Sequence, residues 1–177
     1  MRIYVIFVVA LSFFINACQG QNRMIDKTVV KELKIDRYLG KWYEISRFDH
    51  TFERGLVGVT ASYSIREDGK IKVVNSGYKK TLDGQKSEVN GKAKIPDPRV
   101  PSKLKVSYFW FFYADYFVLE LDKNYQWAVI GSSSDNYLWI LCRTPQMEKS
   151  LYDELLDKIK SRGYDVKKLI SVEQKTD

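Results

Sequence analysis

The sequence predicts an all-β fold: an eight-stranded antiparallel up-and-down β-barrel with one α-helix, near the C-terminus, packed on its outside. Three observations predict it. Short runs of alternating apolar and polar residues fill the stretch 42–143 and are separated by tight turns, two of them Asp-Gly pairs. Aromatic residues make up 14% of the chain, and Tyr, Phe and Trp suit a pleated, half-buried surface. A helical stripe occurs only after the last run. The linkers are too short for the long crossovers of a β-sandwich, so successive hairpins close on themselves and leave no free edge.

Taken in order, the chain begins with Arg2 and an apolar run from Ile3 to Ile15, followed by Ala17 and Cys18. The run is too short to span a bilayer comfortably, which marks residues 1–17 as a secretory signal. Residues 18–34 are polar, lack turn chemistry and read as a tether, with Val29, Val30, Leu33 and then Ile35 approaching the barrel base; residues 35–177 form the barrel with its helix. Ile35-Asp36-Arg37-Tyr38-Leu39 is expected to make a short helical turn at the barrel base. The expected strands are Trp42–Arg47, Val57–Arg66, Lys70–Lys79, Gln85–Ile95, Lys103–Phe109, Tyr116–Asp122, Trp127–Ser132 and Tyr137–Arg143. Asp68-Gly69 and Asp83-Gly84 turn two hairpins, and Pro96, Pro98 and Pro101 end one strand and delay the next. Thr144-Pro145 is expected to start the helix, whose stripe runs through Met147, Leu151, Leu155 and Ile159 with Tyr152 and Leu156 beside it. Gly163 stops it, and Val166–Val172 adds a closing strand or extension.

A chain of 177 residues suffices for one domain with a sizeable core. Its net charge of +7 comes from lysines scattered singly along alternating strands, which argues against a nucleic-acid partner and leaves a modest attraction to anionic lipid head groups. Cys18 and Cys142 are the two cysteines; with Cys18 modified, no disulfide staples the fold. No Cys/His spacing suits a metal, and no cofactor motif occurs.

Two stretches carry the strongest signal. Gly40-Lys41-Trp42-Tyr43-Glu44-Ile45 is a turn releasing into an aromatic strand, and Tyr137-Leu138-Trp139-Ile140-Leu141-Cys142-Arg143 is an apolar strand ending in one arginine. A guanidinium there needs a partner, and an indole face is one it can stack on. Together with Asp122-Lys123-Asn124-Tyr125 in this order and spacing, the pair resembles the signature regions of the lipocalins, most closely the bacterial lipoprotein branch. The resemblance implies that Trp42 closes the base of the barrel, that Arg143 lies across it, and that a 3₁₀ turn caps it. Ile15-Asn16-Ala17-Cys18 resembles a bacterial lipobox, which implies cleavage before Cys18 and its lipidation. Gln19 stands where an Asp would retain the protein at the inner membrane, so the implied location is the outer membrane, facing the periplasm. The implied function is binding, storage or transport of apolar lipids, fatty acids or lysophospholipids, rather than catalysis. Bacterial relatives include dimers, so a homodimer is among the implied partners.

Side chains alternate along barrel strands, so parity decides what faces the interior. With Trp42 and Arg143 inward, Tyr137, Trp139 and Leu141 point in, whereas Leu138, Ile140 and Cys142 point out beneath the helix. By family register the interior is also lined by Ala61, Tyr63, Val106, Tyr108, Tyr116, Val118, Ala128 and Ile130. Small residues among the rings (Ala61, Gly91, Ala93, Ala128) are expected to leave room for an acyl chain, the alternative being a filled barrel. Glu44 shares the parity of Trp42, and Glu120 raises the same issue opposite; each is either a contact for a ligand head group or a partner of Arg143 or Arg47. His50, the one histidine, lies in Phe48–Gly55, which resembles the first loop of bacterial lipocalins; the resemblance implies a place at the cavity mouth, as a structural residue or a ligand contact. Cys142 on the outward parity reads as inert packing. Tyr108-Phe109-Trp110-Phe111-Phe112-Tyr113 exceeds what alternation can bury. It is read as a hairpin serving as ligand portal, membrane contact or dimer contact, or folded back over the mouth.

Overall fold

The computed structural model describes residues 24–175. The expected signal segment and Cys18 lie outside the described residues. The elements in chain order are α1 (Ile35–Tyr38), β1 (Gly40–Phe48), β2 (Leu56–Ile65), β3 (Ile71–Lys79), β4 (Lys86–Lys94), β5 (Lys103–Phe109), β6 (Phe112–Leu121), β7 (Trp127–Gly131), β8 (Leu138–Cys142), α2 (Lys149–Ser161) and β9 (Leu169–Ser171), with a 3₁₀ turn at Val166–Lys168. Each of β1 to β8 is antiparallel to its neighbours, and β1 pairs with β8 on one side and β2 on the other, which closes the barrel. The whole closed sheet, its α1 plug and α2 are built from residues 24–175.

Two apolar cores follow from the alternation. Inside the barrel, Trp42, Tyr63, Val73, Val106, Val118, Ala128, Ile130 and Leu141 pack under α1. Outside, Leu138, Ile140, Val129 and Leu119 meet Leu155 and Ile159 of α2. The helix covers the wall because its apolar residues recur every three or four positions, leaving Lys and Glu on the solvent face. It begins at Lys149, later than Thr144-Pro145 predicts. The Thr144 hydroxyl donates to the Gln146 carbonyl at 2.6 Å, a local turn that competes with helix.

The expected tether is the second departure. From Ile25 onward the chain lies against the barrel: Val30 N–H donates to the Val118 carbonyl at 3.0 Å, and Ser102 Oγ donates to the Val30 carbonyl at 2.7 Å. Leu33 is buried, and Ile25 and Val29 pack on the outer core. The approach of Val29, Val30 and Leu33 to the barrel was expected, but the docking begins earlier, at Ile25.

The third departure decides the geometry of the mouth. A bulge between Glu44 and Ser46 shifts the β1–β8 register, and Ile45 and Ser46 both face outward. Trp42, Glu44 and Arg47 therefore share the interior, where strict alternation would have turned Arg47 out. A second shift, between Val118 and Glu120, corrects the expectation for Glu120. Its carboxylate faces out and accepts from Arg162 Nε at 2.8 Å, and Arg162 also donates to the Leu119 and Thr28 carbonyls.

Candidate functional site: the barrel interior

The base is sealed by one cation and one indole. Arg143 stacks 3.8 Å from the centre of the Trp42 ring. Its nitrogens donate to the carbonyls of Lys41 (2.9 Å), Arg37 (2.9 Å), Tyr38 (3.2 Å) and Tyr125 (3.2 Å). The Trp42 Nε1–H donates to the Tyr38 carbonyl at 2.9 Å, so plug, strand and arginine meet at one residue of α1. Gly40 is required there. Its φ is +92°, and a Cβ would stand 3.3 Å from Arg143 Nη1. The plug itself is a four-residue α-helical turn rather than the implied 3₁₀ turn.

Above the base lies a floor of three phenols. Tyr116 OH is 2.6 Å from Tyr38 OH and accepts from Tyr63 OH at 3.0 Å. Burial pushes all three phenol pKa values up, so the groups stay neutral and act as hydrogen-bond partners only. Tyr38 is the member that the sequence reading missed; an aromatic residue in the plug turn was its only signal. Between this floor, Leu39 and Leu104 the enclosed space is about 10 Å³, room for about one water. An acyl chain does not reach the base past these rings.

The space above the floor is marked by side chains that are deep yet accessible. Burial pushes the phenols of Tyr108 and Tyr116 up, but both keep accessible surface, as do the inward-facing Ala61 and Trp139. For Ala61, Tyr116 and Trp139 that surface faces the barrel interior, whereas Tyr108 also borders the outer wall. Val118, Ala128 and Ile130 face the same interior but are fully covered, and Tyr63 and Val106 nearly so. Tyr137 stands at the rim, stacked on Trp139 with centroids 5.8 Å apart. The small residues do not all leave room. A Cβ on Gly91 would come within 2.7 Å of the Tyr108 ring, and Ala93 and Ala128 are covered. They accommodate neighbouring side chains; Ala93 borders only the small space at the floor, Gly91 reaches the outer wall, and Ala61 keeps accessible surface above the floor.

A polar cluster crosses the upper interior. Arg47 Nη1 donates to Glu44 Oε1 at 2.6 Å, and its Nη2 donates to the carbonyls of Glu53 and Leu56. The Trp139 indole donates to Glu53 Oε2 at 3.1 Å, and His50 Nε2 lies 3.0 Å from the same oxygen without hydrogen-bond alignment. The His50 ring packs 5.3 Å from Trp139 and 5.4 Å from Tyr137. Burial, with the Glu53 charge adding to it, raises the Glu44 pKa well above the usual carboxylate value, although Arg47 opposes the shift. For Glu53 burial also raises the pKa, but the His50 and Trp139 contacts and the His50 and Arg47 charges outweigh it and leave the value lowered. Arg47 thus faces two carboxylates, and burial makes Glu44 the more readily protonated of the two. Glu44 is a partner of Arg47, not of Arg143. Arg47 was one of the two partners expected for Glu44, and the pair forms, whereas Glu53 was not expected at the site. The bulge and a loop contact put them there, and neither has a sequence signature.

Cys142 is buried on the outward side, 3.2 Å from the Thr144 hydroxyl and away from the hollow. The aromatic hairpin is not folded over the mouth. Phe109 pairs with Phe112, and both stand exposed with Trp110 and Phe111 at the tip.

A family model described as "Lipocalin-like domain" matches residues 33–174. The chain is 42% identical to the outer membrane lipoprotein Blc of Vibrio cholerae over 96% of its own length and 98% of the relative's. It is 43% identical to the Citrobacter freundii protein of the same name, over 98% of each chain. Apolipoprotein D of Macaca fascicularis is 34% identical across 93% of this chain and 92% of its own. Among solved structures, insecticyanin from the tobacco hornworm Manduca sexta superposes with a TM-score of 0.67 at 21% identity, covering 85% of both chains.

Proposed function

The chain belongs to the lipocalin family, and from that premise we propose that it binds and carries single-chain lipids, fatty acids or lysophospholipids, inside the barrel. In this reading it is held at the outer membrane by a lipidated Cys18 and faces the periplasm. The observation that carries the lipid assignment is the accessible surface kept by the inward-facing Ala61, Tyr116 and Trp139 above a tyrosine floor. The wall there is mostly apolar or aromatic, with Arg47 Nε, both His50 ring nitrogens and Asn75 Oδ1 beside it left without hydrogen-bond partners among the described residues, so hydrocarbon burial supplies most of the affinity. Burying roughly twelve methylenes at ~0.8 kcal/mol each contributes about 10 kcal/mol. Lost rigid-body freedom costs at least ~4 kcal/mol, which leaves affinity of about tens of micromolar and loose specificity. The tail lies above the floor and the head group emerges near Tyr137 and His50. The anchor reading is supported by the names of the Vibrio and Citrobacter relatives, both outer membrane lipoproteins.

A carrier fits better than a lipid-modifying enzyme. The interior acid groups are engaged by Arg47, Trp139 and His50, and the free thiol lies outside the cavity. Native mass spectrometry of the protein from its own envelope tests the reading. The expected spectrum shows a non-covalent lipid of one acyl chain, and an acyl mass on Cys18 that survives denaturation. Empty protein that also fails to take up added palmitate overturns the carrier, and an unacylated Cys18 overturns the anchor.

A further inference from the structure

We propose that the β5–β6 hairpin and the cationic groove beside it form a docking surface for a bilayer containing anionic lipids. The inference goes beyond the lipid-carrier reading and rests on residues of the outer surface. Phe109, Trp110, Phe111 and Phe112 are 65%, 87%, 71% and 71% exposed. Four consecutive large aromatic side chains in water at one hairpin tip are costly unless something covers them. Trp110 adds a second sign. Its φ is +44°, a left-handed conformation that bulky residues rarely adopt and that Gly or Asn fills at lower cost. A strained, exposed tryptophan at a turn is a residue kept for contact rather than for stability.

Charge identifies the occupant. A groove of about 330 Å³ on the outer wall runs from Trp110 along Ser107, Asn90 and Lys92 to Lys72 and Arg66. Lys94 lies beyond it, its ammonium 4.4 Å from the Tyr113 ring centre. Among the described residues Lys72, Lys92 and Lys94 have no carboxylate within 4.0 Å, whereas Arg66 is paired with Asp68. Ammonium groups at the level of lipid phosphates, with Trp and Phe just below them, match the layered polarity of an anionic bilayer surface. A second copy of the chain would bring the same cations face to face, which disfavours a symmetric dimer through this surface.

Position gives the surface a use. The hairpin stands at the open end of the barrel, and β4 pairs with β5 only at Lys92–Lys94, so the wall is split above that point. Tyr108 lines the outer groove and also packs on the interior core. A bilayer seated on the hairpin would therefore meet the barrel where its wall is open.

The test uses residues 19–177, which contain the whole closed fold and lack the acyl anchor. Flotation with vesicles of phosphatidylglycerol and phosphatidylcholine is compared with phosphatidylcholine alone, at low and high salt. Binding is expected only with the anionic lipid, weakened by salt, and lowered about tenfold or more by both W110S/F111S and K92E/K94E. Circular dichroism and palmitate titration run in parallel should be unchanged in both variants, which separates failure of docking from failure of the cavity. No binding to the anionic vesicles, equal binding to both vesicle types, or equal binding by the variants would overturn the proposal. So would a concentration-dependent dimer that is lost in W110S/F111S without vesicle binding, which would assign the surface to a second copy.

Discussion

The Arg143 guanidinium lies 3.8 Å from the Trp42 ring centre and joins four carbonyls from α1, β1 and the β6–β7 turn. One side chain thereby ties the α1–β1 corner to the distant β6–β7 turn. Arg143→Ala is expected to destabilise the fold by about 2–4 kcal/mol, from lost charged hydrogen bonds and the cation–π contact. Arg143→Lys should recover only the smaller part, because an ammonium cannot reproduce the planar fork. Urea denaturation of the three proteins measures both.

Trp139 borders the hollow and donates to Glu53, but keeps accessible surface. Trp139→Ala should weaken palmitate binding about tenfold while costing roughly 1–2 kcal/mol of stability, less than a fully buried aromatic would. Calorimetric titration beside thermal denaturation reads the two effects. Unchanged affinity would remove Trp139 from the binding wall.

Tyr116 bridges Tyr38 and Tyr63 in the floor. Tyr116→Phe leaves both hydroxyls without their shared partner, an expected loss of about 1–2 kcal/mol. The loosened floor should favour longer tails, so the preference for stearate over dodecanoate is expected to rise. Competition between the two acids for one fluorescent fatty acid would show it.

Burial and the neighbouring Glu53 raise the Glu44 pKa, so the folded chain binds a proton that the unfolded chain releases at lower pH. The associated stability is complete below the unfolded value of about 4.5 and is lost as pH rises through the higher folded value. Glu44→Gln keeps an uncharged acceptor for Arg47. Its melting temperature should fall less than the wild type's between about pH 5 and pH 8. Parallel slopes in melts across that range would contradict the assignment.

Much of the fold was legible because its signals are local. Alternation located all eight barrel strands, Asp-Gly pairs marked the turns at Gly69 and Gly84, and the stripe of Leu151, Leu155 and Ile159 placed the outer helix. The interior was less legible. Ala93, Ala128 and Gly91 were expected to open the tube, but their space is occupied, because a small residue records only that something large approaches it.

The barrel and its outer helix were legible in the chain because hydrophobic period and turn chemistry act over short stretches, whereas the Trp42–Arg143 seal was implied by the lipocalin resemblance of two signature stretches. Only the tertiary structure decided which acids face inward, where the hollow begins and that the N-terminal stretch from Ile25 is docked. A one-residue bulge at Ile45 reverses the parity of everything after it on β1, and it shows only in the pairing with β8. The hollow is the volume left after Tyr38, Tyr63 and Tyr116 meet from three separate elements, so it exists only once the barrel has closed.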